Sequence, residues 1–367
     1  MDFQITIRDS ASSARCGVLS APNGSIETPA FMPCASRAVV RACSPQDVAA
    51  VGIQVVMCNA FHLLIRPGSE VIQQAGGLGK FMNWPGLIAT DSGGFQVFSL
   101  ADRRDITEDG VSIRSPLDGT LIEVTPELSI QVQNELGADI IMAFDDCTPY
   151  PCGHEEAARS TERTLRWAQR SKAAHNNSEQ ALFGIVQGSV YPELRRESAR
   201  ATVEIGFPGY AIGGVSVGES EAEMFTALDA ALPELPPETP RHLLGVGVPA
   251  QMIAAVKRGV DLFDCVLPTR NARHGLLYTW EGIVRINNAQ YREDSRPLSA
   301  LCDCPACTHY SRAYLHHLFR IEEAAAWRLL TLHNLRFFAQ LMEQIREAIR
   351  AGNLDELHAR VAAITRR

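Results

Sequence analysis

The chain has 367 residues, 46% of them apolar and 21% charged, with a net charge of −8. That length suits one large domain with a smaller appendage, and that balance supplies a core, which excludes disorder, collagen and coiled coil. No apolar run approaches the roughly 18 residues of a membrane span, and MDFQITIRDS has no basic stretch followed by an apolar one, so a cytoplasmic protein without a secretory leader is expected.

Residues 1–40 are polar, with short alternating runs and turn signals such as APNGS, and predict a small antiparallel β layer. From Arg41 the pattern becomes short apolar run, polar loop, amphipathic stretch, repeated. Ser44-Pro45-Gln46-Asp47 and Thr125-Pro126-Glu127 are helix starts, each with a cap, a proline at the first helical position and an acid in the first turn. Further helices are predicted near 155–174, 191–205, 219–232 and 249–259. Between them lie GIQVVMCN, GLIATD, ADIIMAFDD, ALFGIVQG, GYAIGGVS, RHLLGVGV and VDLFDCVLP. These runs have strand length and little alternation, as expected of parallel strands buried on both faces. The chain has no GxGxxG after the first strand and no GxxxxGK[ST], which lowers the weight of nucleotide-binding folds.

Polar residues recur at the ends of these runs: Asp91, Asp145 with Asp146, Gln187, Gly213 with Gly214, and Asp264. Any one of them alone is more simply a loop or cap residue. Their recurrence favours a (β/α)8 barrel, in which all strand ends open on one face. The expected division is 1–40 β layer, 41–285 barrel, 286–345 metal-binding subdomain and 346–367 a helix packed on the barrel.

Most of the ten cysteines sit among apolar residues, as reduced buried thiols do. Cys302, Cys304 and Cys307 differ, because they place three thiols within six residues. Such a cluster suits a tetrahedral Zn²⁺ with a fourth ligand, and a site of four protein ligands is structural. The candidates for the fourth position are His309, His316, His317 and His333. His333 is preferred, since a helix can return it to the knuckle, whereas His309 is too near to close a tetrahedron. A redox pair with a spare thiol is the alternative. The window Pro268–Arg320 holds seven arginines and no lysine against four acids, a local +3 on an acidic chain. It is either a solvated surface or a docking place for a polyanion.

Asp91 lies in TDSGGFQVFS, where two glycines allow close approach to a ligand and Phe95 offers a flat face. A glycine turn capped by the acid is the simpler reading. Asp264 precedes PTRNAR, an acid beside Arg270 and Arg273, which suit bidentate phosphate contact. A buried Asp–Arg pair is the simpler reading here. Two separated carboxylates meet the needs of glycosidic-bond exchange, one as nucleophile and one as proton carrier. If the leaving group is a nucleobase, Asp145 suits the N–H groups of a guanine-like edge, with Gln187 and the Gly214 N–H as donors to its carbonyl. Such a base must leave its stack to be reached.

The set TDSGGFQVFSL, FDDCTPYP, GIVQG, AIGGVSVGE, LLGVG, DLFDCVLPTRNARHG, CDCPACTHYSRAYLHHLF and LLTLHNL resembles the bacterial-type tRNA-guanine transglycosylase family, in order over nearly the whole chain. The resemblance implies a (β/α)8 barrel with a zinc subdomain, a homodimer, and exchange of guanine at the wobble position of GUN-anticodon tRNAs (Asp, Asn, His, Tyr) for a 7-deazaguanine. It implies Asp264 as nucleophile forming a covalent ribosyl-enzyme and Asp91 as general acid/base. It further implies Asp145, Gln187 and Gly214 as readers of the base, Phe95 as its stacking partner, Arg270 and Arg273 on the anticodon, and Cys302, Cys304, Cys307 and His333 on Zn²⁺. No nucleotide cofactor is implied.

The family usually has Glu, Leu and Met where this chain has Asp146, Val215 and Leu244. With all three expected beside the base pocket, the loss of two methylenes and the compact leucine suggest room for a larger 7-substituent. Queuine is therefore an alternative to 7-aminomethyl-7-deazaguanine as the incoming base. The rival classes are a non-catalytic tRNA-binding subunit, disfavoured by both Asp91 and Asp264, a relative acting on DNA or another part of tRNA, and a zinc-stabilised hydrolase with no use for the basic window.

Overall fold

The computed structural model describes residues 1–94, 104–115 and 117–365. Three antiparallel strands open the chain: β1 (Asp2–Arg8), β2 (Arg15–Ala21) and β3 (Gly24–Thr28). The barrel follows as β4 (Ala30–Pro33), β5 (Val55–Asn59) and β6 (Leu87–Asp91). A three-stranded antiparallel insert comes next, β7 (Arg104–Ile106), β8 (Val111–Arg114) and β9 (Leu121–Val124). The barrel resumes with β10 (Ile140–Met142), β11 (Ala181–Val186), β12 (Gly209–Ile212), β13 (Arg241–Leu243) and β14 (Leu262–Cys265), and the hairpin β15 (Leu276–Thr279)–β16 (Gly282–Arg285) leads out of it.

The eight barrel strands are parallel and neighbour one another in chain order, β4 lying beside β14. The β4–β5 edge is closed by a bridge between Cys34 and Met57, with Ala35 N donating to Met57 O at 2.7 Å. The expected barrel is thus present. The seven apolar runs correspond to β5, β6 and β10–β14, and the eighth strand, AFMP, lies upstream of residue 41.

Alternation along the strands builds two cores. Val55, Met57, Ala89, Met142, Phe183, Ile185, Ala211 and Leu262 point inward as one cluster. Phe31, Val56, Cys58, Ile88, Ile141, Leu182 and Phe263 point outward under the helices. Both faces being apolar is why these strands show so little sequence alternation. Leu19 and Ile26 of the first sheet join the inner cluster and stop the lower end. There Asn23 donates to Asp139 at 2.9 Å, and Arg15 forms a buried bidentate pair with Asp261 at 2.8 and 2.6 Å. With the bottom sealed, only the C-terminal ends of the strands remain open.

The helix starts follow the cap chemistry. Ser44 Oγ accepts from Asp47 N at 3.2 Å, and the Asp47 carboxylate accepts from Ser44 N at 3.1 Å, a reciprocal box. Thr125 Oγ1 accepts from Leu128 N in the same way. The helix Ala324–Ala351 spans 28 residues and ties the knuckle to the barrel, with Phe338 against Phe31 at 4.7 Å between centroids. It ends at Gly352 in the left-handed region (φ 70°), and a separate helix, Leu354–Thr365, packs on the helix Pro249–Val256.

Candidate active site

The inward register of the barrel strands runs on into polar residues at their open ends: Cys34, Asn59, Asp91, Gln187 and Asp264. Asn59 and Asp91 are paired in register at the ends of β5 and β6. Asn59 Nδ2 donates to Asp91 Oδ2 at 2.6 Å, while Ala60 N and Gly93 N donate to Oδ1 at 3.1 and 3.2 Å. Burial still dominates and pushes the Asp91 carboxyl up to about 7, with the nearby charge of Asp264 adding to the rise. A carboxyl at that value gives and takes a proton near neutrality.

Asp264 is half-buried at the end of β14. Its Oδ1 accepts from His242 Nε2 at 2.9 Å and from Gly245 N at 3.1 Å. Its Oδ2 faces the Cys34 thiol at 4.0 Å. Burial, and then the charge of Asp264, raise that thiol well above its ordinary value, so it stays protonated.

Asp145 is buried between two donors. Ser92 Oγ reaches its Oδ1 at 2.9 Å and Gln187 Nε2 its Oδ2 at 2.7 Å. Burial lifts its carboxyl to about 6 against these bonds, so it is mostly ionised at pH 7. Two glycines make the arrangement possible. A Cβ on Gly94 would lie 2.4 Å from Asp145 Oδ1, and one on Gly214 (φ 62°) would lie 2.2 Å from Gln187 Oε1.

Three residues that hold this pocket escaped the sequence reading. Arg195 is fully buried and donates to the carbonyls of Ser189, Val186, Gly213 and Gly214 at 2.7 to 3.1 Å. Burial lowers its guanidinium to about 10, which leaves it charged at neutral pH. Glu219 accepts from Ser216 N and from Val217 N, pinning the loop after β12. His242 is the third.

Val215 is buried and Leu244 half-buried, the latter against the inner barrel cluster. Val215 packs with the outer cluster rather than the inner one, and Asp146 turns to a helix partner. Its carboxylate pairs with Arg163 Nη1 at 2.6 Å, on the helix His154–Ala174 outside the barrel, while Ser160 Oγ bonds its backbone carbonyl. Of the three departures expected beside the base pocket, Leu244 alone packs against the inner cluster among the described residues. Phe95 lies outside the described residues.

Arg270 is exposed and Arg273 half-buried, both on the helix Leu267–Arg273 immediately after β14. Burial, and then the charges of Arg41 and Arg270, depress the Arg273 guanidinium. Three cations therefore gather beside the mouth, and Arg41 was not among the residues singled out from sequence.

The cysteine knuckle is a second cluster, packed through the helix Ala324–Ala351 against the helix Leu267–Arg273. Cys302, Cys304, Cys307 and His333 present ligand atoms that all lie within 4.8 Å of one another. His333 Nδ1 is 3.7, 3.5 and 3.3 Å from the three sulfurs in that order. A tetrahedral ion with bonds of about 2.0–2.3 Å sets its ligands about 3.5 Å apart, so the donor set fits a metal. His333 Nε2 donates to Tyr278 O at 2.9 Å, which leaves Nδ1 as the ligand nitrogen. His316 instead turns its Nδ1 to Ile286 O at 2.7 Å.

A sequence model described as Queuine tRNA-ribosyltransferase matches residues 9–367. The chain is 53% identical over 355 residues to a queuine tRNA-ribosyltransferase of Thioalkalivibrio sulfidiphilus (strain HL-EbGR7), covering 97% of this chain and 95% of that one. It is 52% identical to the protein of the same description from Symbiobacterium thermophilum, covering 96% and 89%. The one from Pseudoalteromonas translucida is also 52% identical, covering 97% and 94%.

Proposed function

The chain belongs to the queuine tRNA-ribosyltransferase family, transferases that act on tRNA, and on that premise we propose that it exchanges guanine at the wobble position of GUN-anticodon tRNAs for 7-aminomethyl-7-deazaguanine. The observation that carries this reading is the pair of carboxylates at the mouth, Asp91 on β6 and Asp264 on β14, with the Asp145–Gln187–Gly214 pocket between their strands.

Asp264 attacks C1′ of the ribose as the bond from C1′ to the base nitrogen breaks. The bond's electron pair leaves with guanine, which takes the proton held by Asp91. The ester conserves the glycosidic bond energy. In the return half, Asp91 takes the ring N–H proton of the incoming base, whose nitrogen then displaces the aspartate. Asp145 accepts from the N–H edge of the base and Gln187 and Gly214 N donate to its carbonyl. Arg270, Arg273 and Arg41 meet the anticodon and its phosphates.

Zn²⁺ would be held by Cys302, Cys304, Cys307 and His333. With four protein ligands it would fix the fold of the knuckle and take no part in the exchange. A homodimer belongs to the same reading. No helix among the described residues is long and apolar enough to cross a membrane.

The test is release of guanine from a GUN tRNA labelled at the wobble base, with 7-aminomethyl-7-deazaguanine and, separately, with queuine. Release with the first supports the proposal. Release with queuine alone replaces the incoming base, and release with neither removes the transglycosylase reading.

A further inference from the structure

His242 is the polar exception in an apolar layer. Strand register sets it beside Ala211 of β12 and Leu262 of β14, and Ile185 of β11 continues the row. Its side chain has no exposed surface. The ring makes one hydrogen bond, from Nε2 to Asp264 Oδ1, and its buried Nδ1 has no partner among the described residues. A carboxylate oxygen can only accept, so Nε2 carries a proton. Nδ1 meets no acceptor among the described residues.

The two oxygens of Asp264 are therefore unequal. Oδ1 is fixed by two N–H donors, His242 Nε2 and Gly245 N. Among the described residues, Oδ2 has only the 4.0 Å thiol contact of Cys34. Donors concentrate charge and geometry on the oxygen they hold, and they leave the other oxygen cheap to desolvate and to bond.

We infer that His242 is a positioning residue for the nucleophile: with Gly245 N it commits Asp264 to attack through Oδ2 and keeps Oδ1 as the carbonyl oxygen of the ribosyl ester. This rests on the transglycosylase reading above. In the first half, a lone pair of Oδ2 forms the Oδ2–C1′ bond while the C1′–base bond breaks, with the proton passing as already described. Oδ1 keeps both donors in the ester and remains polarised. When the incoming base displaces the ester, the Oδ2–C1′ electrons return to a carboxylate whose hydrogen-bond frame is already in place. Reorganisation is avoided in both directions.

The test uses the full-length, metal-loaded enzyme and two variants. His242→Leu keeps bulk and removes the donor, whereas His242→Gln sets an amide N–H near the position of Nε2. Leu is expected to lower kcat for guanine exchange about 10²-fold, the usual effect of removing one aligned donor, with KM for tRNA within about twofold. The amount of denaturant-stable protein–tRNA ester formed in one turnover should fall with it. Gln should recover most of kcat. A Leu variant as fast as the wild type overturns the inference. So does a Gln variant as slow as Leu, with both losses tracking melting temperature.

A measurement on the unmutated enzyme guards against variants that fail to fold. With ¹⁵N-histidine, the resonance absent from the Gln variant should report protonated Nε2 and bare Nδ1 in the wild type. Protonation at Nδ1 overturns the inference. Wild-type enzyme that exchanges no guanine would instead remove the reading on which it rests, a distinguishable result.

Discussion

The cysteine knuckle and the barrel mouth both concentrate ionisable side chains, but they are built in opposite ways. The knuckle draws three of its four donors from six consecutive residues, and the helix Ala324–Ala351 returns the fourth. All four donor atoms converge on one point. The mouth draws Cys34, Asn59, Asp91, Asp145, Gln187 and Asp264 from as many strands, and no ligand atom is shared among them all. Its hydrogen bonds hold each carboxylate separately and leave capacity over, most plainly at Asp264 Oδ2. The difference teaches that a closed donor set spends its valence on the fold, whereas a distributed set with one oxygen held and one spare is free for chemistry.

The sharpest break between the two regions is a variant that abolishes one and spares the other. Asp264→Asn keeps the shape and can still meet Gly245 N, but on the proposed mechanism it has no charge with which to attack. Guanine release is expected to fall by at least about 10³-fold, with no denaturant-stable tRNA adduct. Metal content and melting temperature should stay close to the wild type. A variant that still forms adduct would move the nucleophile elsewhere.

If the knuckle holds Zn²⁺ as proposed, stripping it should act in the opposite sense. Structural zinc contributes roughly 10–16 kcal/mol of apparent binding free energy in small domains at pH 7, so its removal is a folding event. Chelation, or Cys307→Ala, is expected to expose the cluster of Leu277, Val284, Leu298, Leu315 and Leu330 and to loosen the helix that carries His333. Melting curves and elemental analysis read this directly. Exchange should fail in step with lost folding and tRNA binding, with kcat preserved in the fraction that remains folded. Loss of kcat at full folding and full tRNA affinity would give the metal a part in the chemistry.

How legible each region was in the sequence follows the same division. The ligand spacing of the knuckle is local, and the thiols stood out at once. The barrel was visible through its long apolar runs, but AFMP is only four residues in a polar stretch, and its pairing with β14 spans more than 200 residues. The insert β7–β9 was missed because VSIR and LIEV are as short and flanked by polar turns. Asp91 and Asp264 could be seen because acids after apolar runs recur. His242 was hidden inside RHLLGVGV, which scans as one apolar strand, and Arg195 inside PELRRESAR, which scans as a solvated helix face. Burial of a polar side chain is a tertiary property, and periodicity does not report it.

Acidity at the mouth gives the next test. On the proposed mechanism Asp91, raised to about 7, must be protonated to give guanine its proton. On the same proposal Asp145, raised to about 6, must be ionised to accept from the base. Guanine release in a single turnover should therefore fall as pH rises through about 7, where the donor is lost. Affinity for the base should fall as pH drops through about 6, where the acceptor is lost. The product is a narrow bell between them, tending to tenfold per pH unit on each flank. Asp145→Asn should flatten the acid flank at the cost of base affinity. The knuckle, holding none of these carboxyls, should show no matching change in metal content over that range.

The smallest effects concern which base is taken, and they divide Asp146 from Val215 and Leu244. Val215→Leu changes packing in the outer cluster just after the Gly213–Gly214 turn, and Leu244→Met changes apolar surface against the inner cluster; in an apolar pocket one methylene is worth about 1–3 kcal/mol of discrimination. Each should shift the kcat/KM ratio of 7-aminomethyl-7-deazaguanine over queuine by about tenfold if it touches the 7-substituent, in favour of the smaller base. Asp146→Glu should leave that ratio unchanged. Its added methylene presses on the pair with Arg163 outside the barrel, so it should appear in melting temperature, at about 1–3 kcal/mol of overpacking. Competition between the two bases in one tube measures the ratio without reference to enzyme concentration. A ratio that moves with Asp146→Glu would mean that the Arg163 pair transmits into the pocket. A ratio that moves only with Val215→Leu and Leu244→Met would assign base selection to those two positions.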